Sequence, residues 1–250
     1  MRTKLPGEPG VKNAGRTDEK TAEAEVLMDK KYQCPICRTD FSSKGLKQGK
    51  AVNAGVDIDL FVRYKNIDAV KYRVISCPKC GYTAMDTDFM MINKHEAVAL
   101  KKQLILKAGD LYEANDFRSF EEALALYRSA LRCSLIKQGK YSERANIALN
   151  TAWLLRKWRE KGGIYNVQTE PENEKKYLNH ALKNFKEAEK LESFPIRNMS
   201  PVTFSYLMAA LCYETGSNKE AYAYLIKVLS DNQAEKRIRI MAEELKEKIR

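Results

Sequence analysis

Four of the six cysteines stand in two pairs, Cys34-Pro35-Ile36-Cys37 and Cys77-Pro78-Lys79-Cys80. Each pair puts two thiolates on one tight turn, close enough to share a metal ion. Proline after the first cysteine stiffens the turn. Gly81 after Cys80 permits the positive φ that aims backbone amides at sulfur. Two such turns supply four soft ligands in the set that zinc accepts tetrahedrally. Cys34, Cys37, Cys77 and Cys80 are therefore expected to bind one structural Zn2+. Four cysteines close the coordination shell and leave no position for a catalytic water. A redox reading needs a low-pKa thiol in a thioredoxin-like setting, which is not visible. An iron centre of rubredoxin type uses the same ligands and stays open.

Other chemistry-bearing residues read more plainly. Asp57 and Asp59, in the 39 residues between Cys37 and Cys77, have the spacing to hold a metal or an amine, but a solvated loop is the preferred reading. Cys133 and Cys212 fall on apolar helical faces and read as core. His95 and His180 are isolated and read as surface or capping residues. No phosphate-binding glycine loop, nucleophile elbow or dinucleotide fingerprint is present. The chain is therefore expected not to be an enzyme. A site at the junction near Asp86, Asp88 and His95 is the minor alternative.

The elements that must position the cysteines follow from pattern. Tyr32 before the first pair and Tyr72-Arg73-Val74-Ile75 before the second suggest strands. Gly45, Gly49, Asn53 and Gly55 read as loop, and 57–64 as a partly alternating further strand. From about residue 86 glycine and proline thin out and apolar residues recur at spacings of three and four. Helices are expected near 93–115, 119–137, 141–160, 173–192, 200–215, 218–230 and 233–249. Residues 1–28, with Gly7, Pro9, Gly10 and alternating charges, are expected to be a disordered leader. Residues 29–90 then form a zinc-ribbon-like domain and 91–250 a helical domain, so the fold class is α+β, mainly α.

The helical half repeats itself. Ala123 precedes Tyr127 and Ala130; Ala181 precedes Phe185 and Ala188; Ala221 precedes Leu225 and Val228. A small residue, a bulky one four later and a small or apolar one seven later is the second helix of a tetratricopeptide (TPR) unit. About three degenerate helix pairs and a terminal helix result. Stacked pairs present a groove lined by first-helix residues, which typically binds a protein segment.

The chain carries a net charge of +11, with 31% charged and 44% hydrophobic residues and a mean hydropathy of −0.52. No apolar run approaches the roughly 18–20 residues of a membrane span, and the N-terminus lacks the apolar stretch of a secretory signal. A cytoplasmic setting with reduced cysteines is expected.

The segments 31–37 with Phe41, Asp57-Ile58-Asp59, and 72–82 with Asp88-Phe89 resemble the bacterial domain of unknown function 2225 family, over roughly residues 30–230. The resemblance implies a two-knuckle, zinc-ribbon-like head joined to a TPR-like helical region in a bacterial cytoplasm. It implies no activity. Arg38 departs from the glycine frequent at the first knuckle. The leading functional expectation is an adaptor that takes a protein or peptide partner in its helical groove. The alternative is nucleic-acid binding by a basic head through Lys44, Lys47, Lys50, Arg63, Lys65, Lys71, Arg73 and Lys79. On the two-domain division, Cys77→Ser should abolish zinc binding and leave the helices largely intact.

Overall fold

In the computed structural model, which describes residues 23–104, 117–162 and 174–249, each cysteine pair occupies the loop of a β-hairpin. Strands β1 (Leu27–Gln33) and β2 (Asp40–Leu46) pair antiparallel, from Leu27 opposite Leu46 to Gln33 opposite Asp40, around the first pair. Strands β5 (Val74–Ser76) and β6 (Thr83–Met85) pair around the second. Between them β3 (Asn53–Val56) and β4 (Val62–Tyr64) form a third hairpin. The fold class is α+β, mainly α.

The stretch expected to be loop is thus largely paired. Gly45 lies in β2 and is glycine because Lys30, on the neighbouring strand, lies across it. A Cβ there would come within 2.8 Å of the Lys30 side chain. Asn53 and Gly55 lie in β3, and Asp57–Phe61 is the hairpin turn, closed by the Asp57 N–H donating to the Phe61 carbonyl at 2.9 Å. Residues 23–28, grouped with the leader on composition, are structured too. Val26 and Leu27 are buried against Ile67, Ala69 and Tyr72. Glu23 pairs with Lys71 at 2.6 Å and accepts from the Tyr72 hydroxyl at 2.8 Å. Residues 1–22 lie outside the described residues.

Seven helices follow among the described residues: α1 (Lys94–Gln103), α2 (Phe120–Ile136), α3 (Tyr141–Glu160), α4 (Glu174–Leu191), α5 (Pro201–Thr215), α6 (Asn218–Ser230) and α7 (Lys236–Ile249). Local signals set several ends. Asn93 with Glu96 and Ser119 with Glu122 form capping boxes that satisfy the first amides of α1 and α2. Ser200 caps α5 with Pro201 in its first turn, and Gly216, at φ 92°, terminates it. The distal half of the expected 93–115 helix, with Gly109 and Tyr112, lies outside the described residues, as does the segment 163–173.

The repeat pattern marks the interior. Ala123, Tyr127, Ala130, Ala181, Phe185, Ala188, Ala221, Leu225 and Val228 are all at most 1% exposed. Helices α3 and α4 pack closely along their length, as do α5 and α6. Alanine at the crossings lets the backbones approach, and the aromatic or aliphatic residue fills the next turn. Fourteen of the 20 residues of α3 are buried, so this helix is covered on more than one face. Part of its cover is the β region. Phe61 stacks on Trp153 at 5.1 Å, and Phe61, Val70, Val74 and Met85 share one apolar cluster with residues of α2–α6. Arg118, just before α2, clips the two together: its guanidinium donates to the carbonyls of Val74 (2.7 Å) and Lys71 (3.1 Å) and to the Ser43 hydroxyl (3.0 Å).

Candidate metal centre

The two knuckles have the same backbone form. The Arg38 N–H donates to the Cys34 carbonyl at 2.9 Å, and the Cys34 N–H to the Thr39 carbonyl at 2.9 Å. Gly81 and Cys77 repeat this at 3.0 and 2.8 Å, with Tyr82 in the place of Thr39. Arg38 has φ 64° and Gly81 φ 71°, so arginine adopts the left-handed conformation that glycine takes in the second knuckle. The departure from glycine therefore leaves the turn intact.

The hairpin loops bring all four sulfurs together. The ligand atoms of Cys34, Cys37, Cys77 and Cys80 lie within 4.8 Å of one another. Cys34 Sγ is 3.6 Å from Cys80 Sγ, and Cys37 Sγ is 3.5 Å from Cys77 Sγ. A tetrahedral ion with sulfur ligands at about 2.3 Å requires sulfur–sulfur edges of about 3.8 Å. The set is thus suited to a metal ion with little movement. Backbone amides of Ile36 and Cys37 aim at the Cys34 sulfur, those of Lys79 and Cys80 at Cys77, and that of Tyr82 at Cys80. Such donors offset the negative charge of a thiolate cluster.

The same crowding makes the tetrad a poor set of free thiols. The Cys34 thiol is pushed up to about 12, chiefly by its hydrogen bond to Cys77, and Cys80 is pushed up by its hydrogen bonds to Cys34 and Cys77. Cys77, accepting from both, is lowered to about 2. One negative charge on Cys77 is held by its neighbours' protons, and a bound cation would favour the thiolate form of the others. Cys34 and Cys77 are buried and Cys37 and Cys80 half-buried, against Ile36, Ile75, Tyr82, Phe89 and Leu100. Four thiolates would fill the coordination shell, so the chemistry this arrangement offers is structural.

Cys133 packs beside the second knuckle, its sulfur accepting from the Thr83 N–H at 3.5 Å. Burial raises its thiol to about 11, which keeps it protonated and apart from the tetrad. Cys212 is also buried. His95 and His180 are exposed on α1 and α4. The three junction residues have separate roles: Asp88 is held by Arg197 at 2.7 Å, Asp86 lines a cleft with Lys30 and Arg73, and His95 sits on the surface.

Asp57 and Asp59 are not in a solvated loop: Asp57 is half-buried and ion-paired, and Asp59 is buried. Asp59 is 0% exposed and accepts from the Trp153 indole at 2.7 Å and the Phe61 amide at 3.3 Å. Arg156 lies between the acids, donating to Asp59 at 2.8 and 3.1 Å, Asp57 at 3.0 Å, Glu174 at 2.5 Å and Glu214 at 3.0 Å. Arg63 adds a two-pronged contact to Asp57 and another to Glu160. Three guanidiniums, of Arg156, Arg63 and Arg159 (2.9 Å from Glu174), face the five carboxylates of Asp57, Asp59, Glu160, Glu174 and Glu214, and of these Asp59 and Glu214 meet Arg156 alone among the three. Burial, followed by the charge of Asp59, raises Glu214 to about 8, and its Oε2 has no hydrogen-bond partner among the described residues. The local pattern of α3 does not announce this cluster. Its one signal is Arg156 itself, a charge inside the run Leu149, Ala152, Trp153, Leu154, Leu155, Trp158.

Of the eight cations offered as a nucleic-acid surface, five are engaged internally. Lys44 pairs with Asp29, Arg63 with Asp57 and Glu160, and Lys71 with Glu23. Lys47 donates to the Glu25 carbonyl and Arg73 to Asn150. Lys50, Lys65 and Lys79 are exposed.

The family model described as "Uncharacterized protein conserved in bacteria (DUF2225)" matches residues 27–249, and the chain belongs to that family. No curated protein and no solved structure matches it. Among the described residues, no helix is long and apolar enough to cross a membrane.

Proposed function

We propose that this DUF2225 member is a cytoplasmic adaptor: a TPR-like array of helix pairs that binds protein segments, with its head fixed by one structural zinc ion and no catalytic turnover. The observation that carries this reading is how the array receives the chain's own insertion. The Asp57–Phe61 turn lies on α3 and α5, the first helices of two pairs. Its carboxylates meet Arg156, its Ile58 carbonyl accepts from the Tyr206 hydroxyl at 2.8 Å, and Leu60 packs into the apolar clusters. Side-chain donors holding backbone carbonyls and acidic groups are how a helical array grips an extended segment. This changes where a partner would sit. The first-helix face expected to be open is already covered there, so the partner surface is the adjoining cleft of about 420 Å3. That cleft lies between β3 and α7, lined by Tyr206, Arg237, Met241, Leu245 and Lys248.

Zinc is favoured by four thiolates in a closed tetrahedral shell within a reduced compartment. Iron uses the same ligands but absorbs visible light, so elemental analysis with an absorption spectrum separates them. The expected result is one zinc per chain and a colourless protein. For the adaptor reading, zinc-loaded protein and an Arg237→Glu/Lys248→Glu variant are used as bait in a bacterial lysate, with and without nuclease. A stoichiometric protein partner that survives nuclease and is lost with the variant supports the reading. Recovery of nucleic acid, with proteins lost on nuclease treatment, transfers the function to the basic surface.

A further inference from the structure

One cleft of the head gathers charged side chains of both signs that form no ion pair with one another. It measures about 160 Å3 and lies between the β1–β2 hairpin, the end of β4 and the base of the β5–β6 hairpin. Lys30, Lys44 and Arg73 line it as cations, Lys44 being already paired with Asp29 at 3.1 Å; Asp86 lines it as an anion, and Tyr32, Tyr64 and Tyr72 supply aromatic walls. Among the described residues neither Lys30 nor Arg73 forms an ion pair, and Asp86 forms none either, although the three face one space. Elsewhere in the molecule some buried or half-buried cations are met directly by an acid, as Lys71 is by Glu23 and Arg197 by Asp88, and others are held by backbone carbonyls, as Lys47 and Arg144 are.

Lys30, Arg73 and Asp86 are each held in place by something other than an opposite charge. Lys30 lies flat across Gly45, where a Cβ would come within 2.8 Å of its Cδ and Cε and 3.2 Å of its Nζ. Arg73 is fixed by donating to the Asn150 side chain at 2.9 Å and by stacking over Trp153 at 5.8 Å. The Asp86 amide donates to the Arg73 carbonyl at 2.8 Å, which sets the two residues side by side where the β5–β6 hairpin ends. A concave site with a few convergent, positioned and mutually unpaired polar groups is the form of a small-ligand pocket. Its walls carry both signs of charge, so a matching ligand carries both. At about 160 Å3 the cleft has room for a compact polar head but not for a large body.

We propose that this cleft binds a small zwitterion of the α-amino acid class, its carboxylate received by Lys30 and Arg73 and its ammonium by Asp86. A side chain larger than the cleft projects through the mouth, where Asp86 is exposed. The proposal is independent of the adaptor reading, because the cleft lies apart from α7 and its surface.

The test is calorimetric titration of the full-length, metal-loaded protein with each of the common α-amino acids, with acetate and ethylamine as half-ligands and with inorganic phosphate. At least one amino acid is expected to bind with a dissociation constant of about 1 mM or tighter, and the half-ligands and phosphate at least tenfold more weakly. Asp86→Asn, on the surface, should weaken binding about tenfold or more without altering the melting temperature. Gly45→Ala, whose added Cβ would come within 2.8 Å of the Lys30 side chain, should weaken binding by displacing Lys30, and Lys30→Met, which leaves the Gly45 wall as it is, should weaken binding similarly. Phosphate or acetate binding as tightly as any amino acid would make this a simple anion site and overturn the proposal. So would the absence of saturable binding across the panel, or amino-acid affinity unchanged in Asp86→Asn.

Discussion

At the scale of single residues, Arg38 tests the knuckle geometry most directly. It holds φ 64° where Gly81 holds φ 71° in the second knuckle, and its side chain is exposed. A non-glycine residue in the left-handed region costs about 1–2 kcal/mol, part of which is offset because glycine loses more chain entropy on folding. Arg38→Gly is therefore expected to stabilise the metal-loaded protein by roughly 1 kcal/mol in denaturant titration. Arg38→Val should destabilise it. Glu214 is the residue to probe by pH. Its folded pKa is raised to about 8 by burial and by Asp59, above the ordinary glutamate value of 4.5. The folded state therefore holds the extra proton between these values. The stability this contributes is present below pH 4.5 and lost as pH rises through 8. Glu214→Gln should unfold at nearly the same denaturant concentration as the parent at pH 5. It should be the more stable of the two at pH 9, by up to a few kcal/mol at about 1.4 kcal/mol per unit. Equal pH profiles for the two proteins would show that the carboxyl ionises freely.

At the scale of elements, the helices and knuckles were legible because their signals are local. Spacings of three and four, capping boxes at Asn93 and Ser119, and paired cysteines each act within a few residues. Most helix bounds fall within a few residues of those read from the pattern, but α1 ends at Gln103, with Leu104 already non-helical, where the pattern suggested a helix to about 115. The β3–β4 hairpin was less legible, since Asn53 and Gly55 are ordinary loop residues and the strand they form depends on β4. The burial of Asp59 could not be read at all. Its partners Trp153 and Arg156 lie 94 and 97 residues away, and no local pattern encodes such a pairing. The cluster has an asymmetric cost. Arg156→Met removes the guanidinium shared by Asp57, Asp59, Glu174 and Glu214, leaving buried carboxylates opposed to one another. Breaking a buried pair from one side typically costs about 3–5 kcal/mol. Asp59→Asn keeps an acceptor for the Trp153 indole and relieves the excess negative charge, so it should cost less than half as much. Urea denaturation of the two variants checks the order, and a reversed order would mean that the Asp59 charge, rather than Arg156, holds the turn.

At the scale of the whole molecule, the question is whether the cysteine-bearing hairpins and the helices melt apart. The composition change near residue 90 suggested that they do, with the helices surviving loss of one of the four clustered cysteines. The packing argues otherwise. Phe61, Val70, Val74 and Met85 share one apolar cluster with α2–α6, and the cysteines share another with Leu100 of α1 and Cys133 of α2. Arg118 ties β2 and β5 to the start of α2. Two-stranded hairpins are marginal alone, and metal binding supplies much of the folding energy of small cysteine sites. Cys77→Ser, or chelation, should therefore uncover α3 as the hairpins loosen. If about 5 kcal/mol is lost, a chain of this size melts about 10–20 °C lower. Far-ultraviolet circular dichroism follows the helices, and tryptophan fluorescence in a Trp158→Phe background follows Trp153, stacked on Phe61 at 5.1 Å. We expect both signals to shift together in the metal-free protein. A tryptophan change at low temperature, with the helical transition left where it was, would mean that the hairpins detach as a separate unit and that the shared core adds little to the helices.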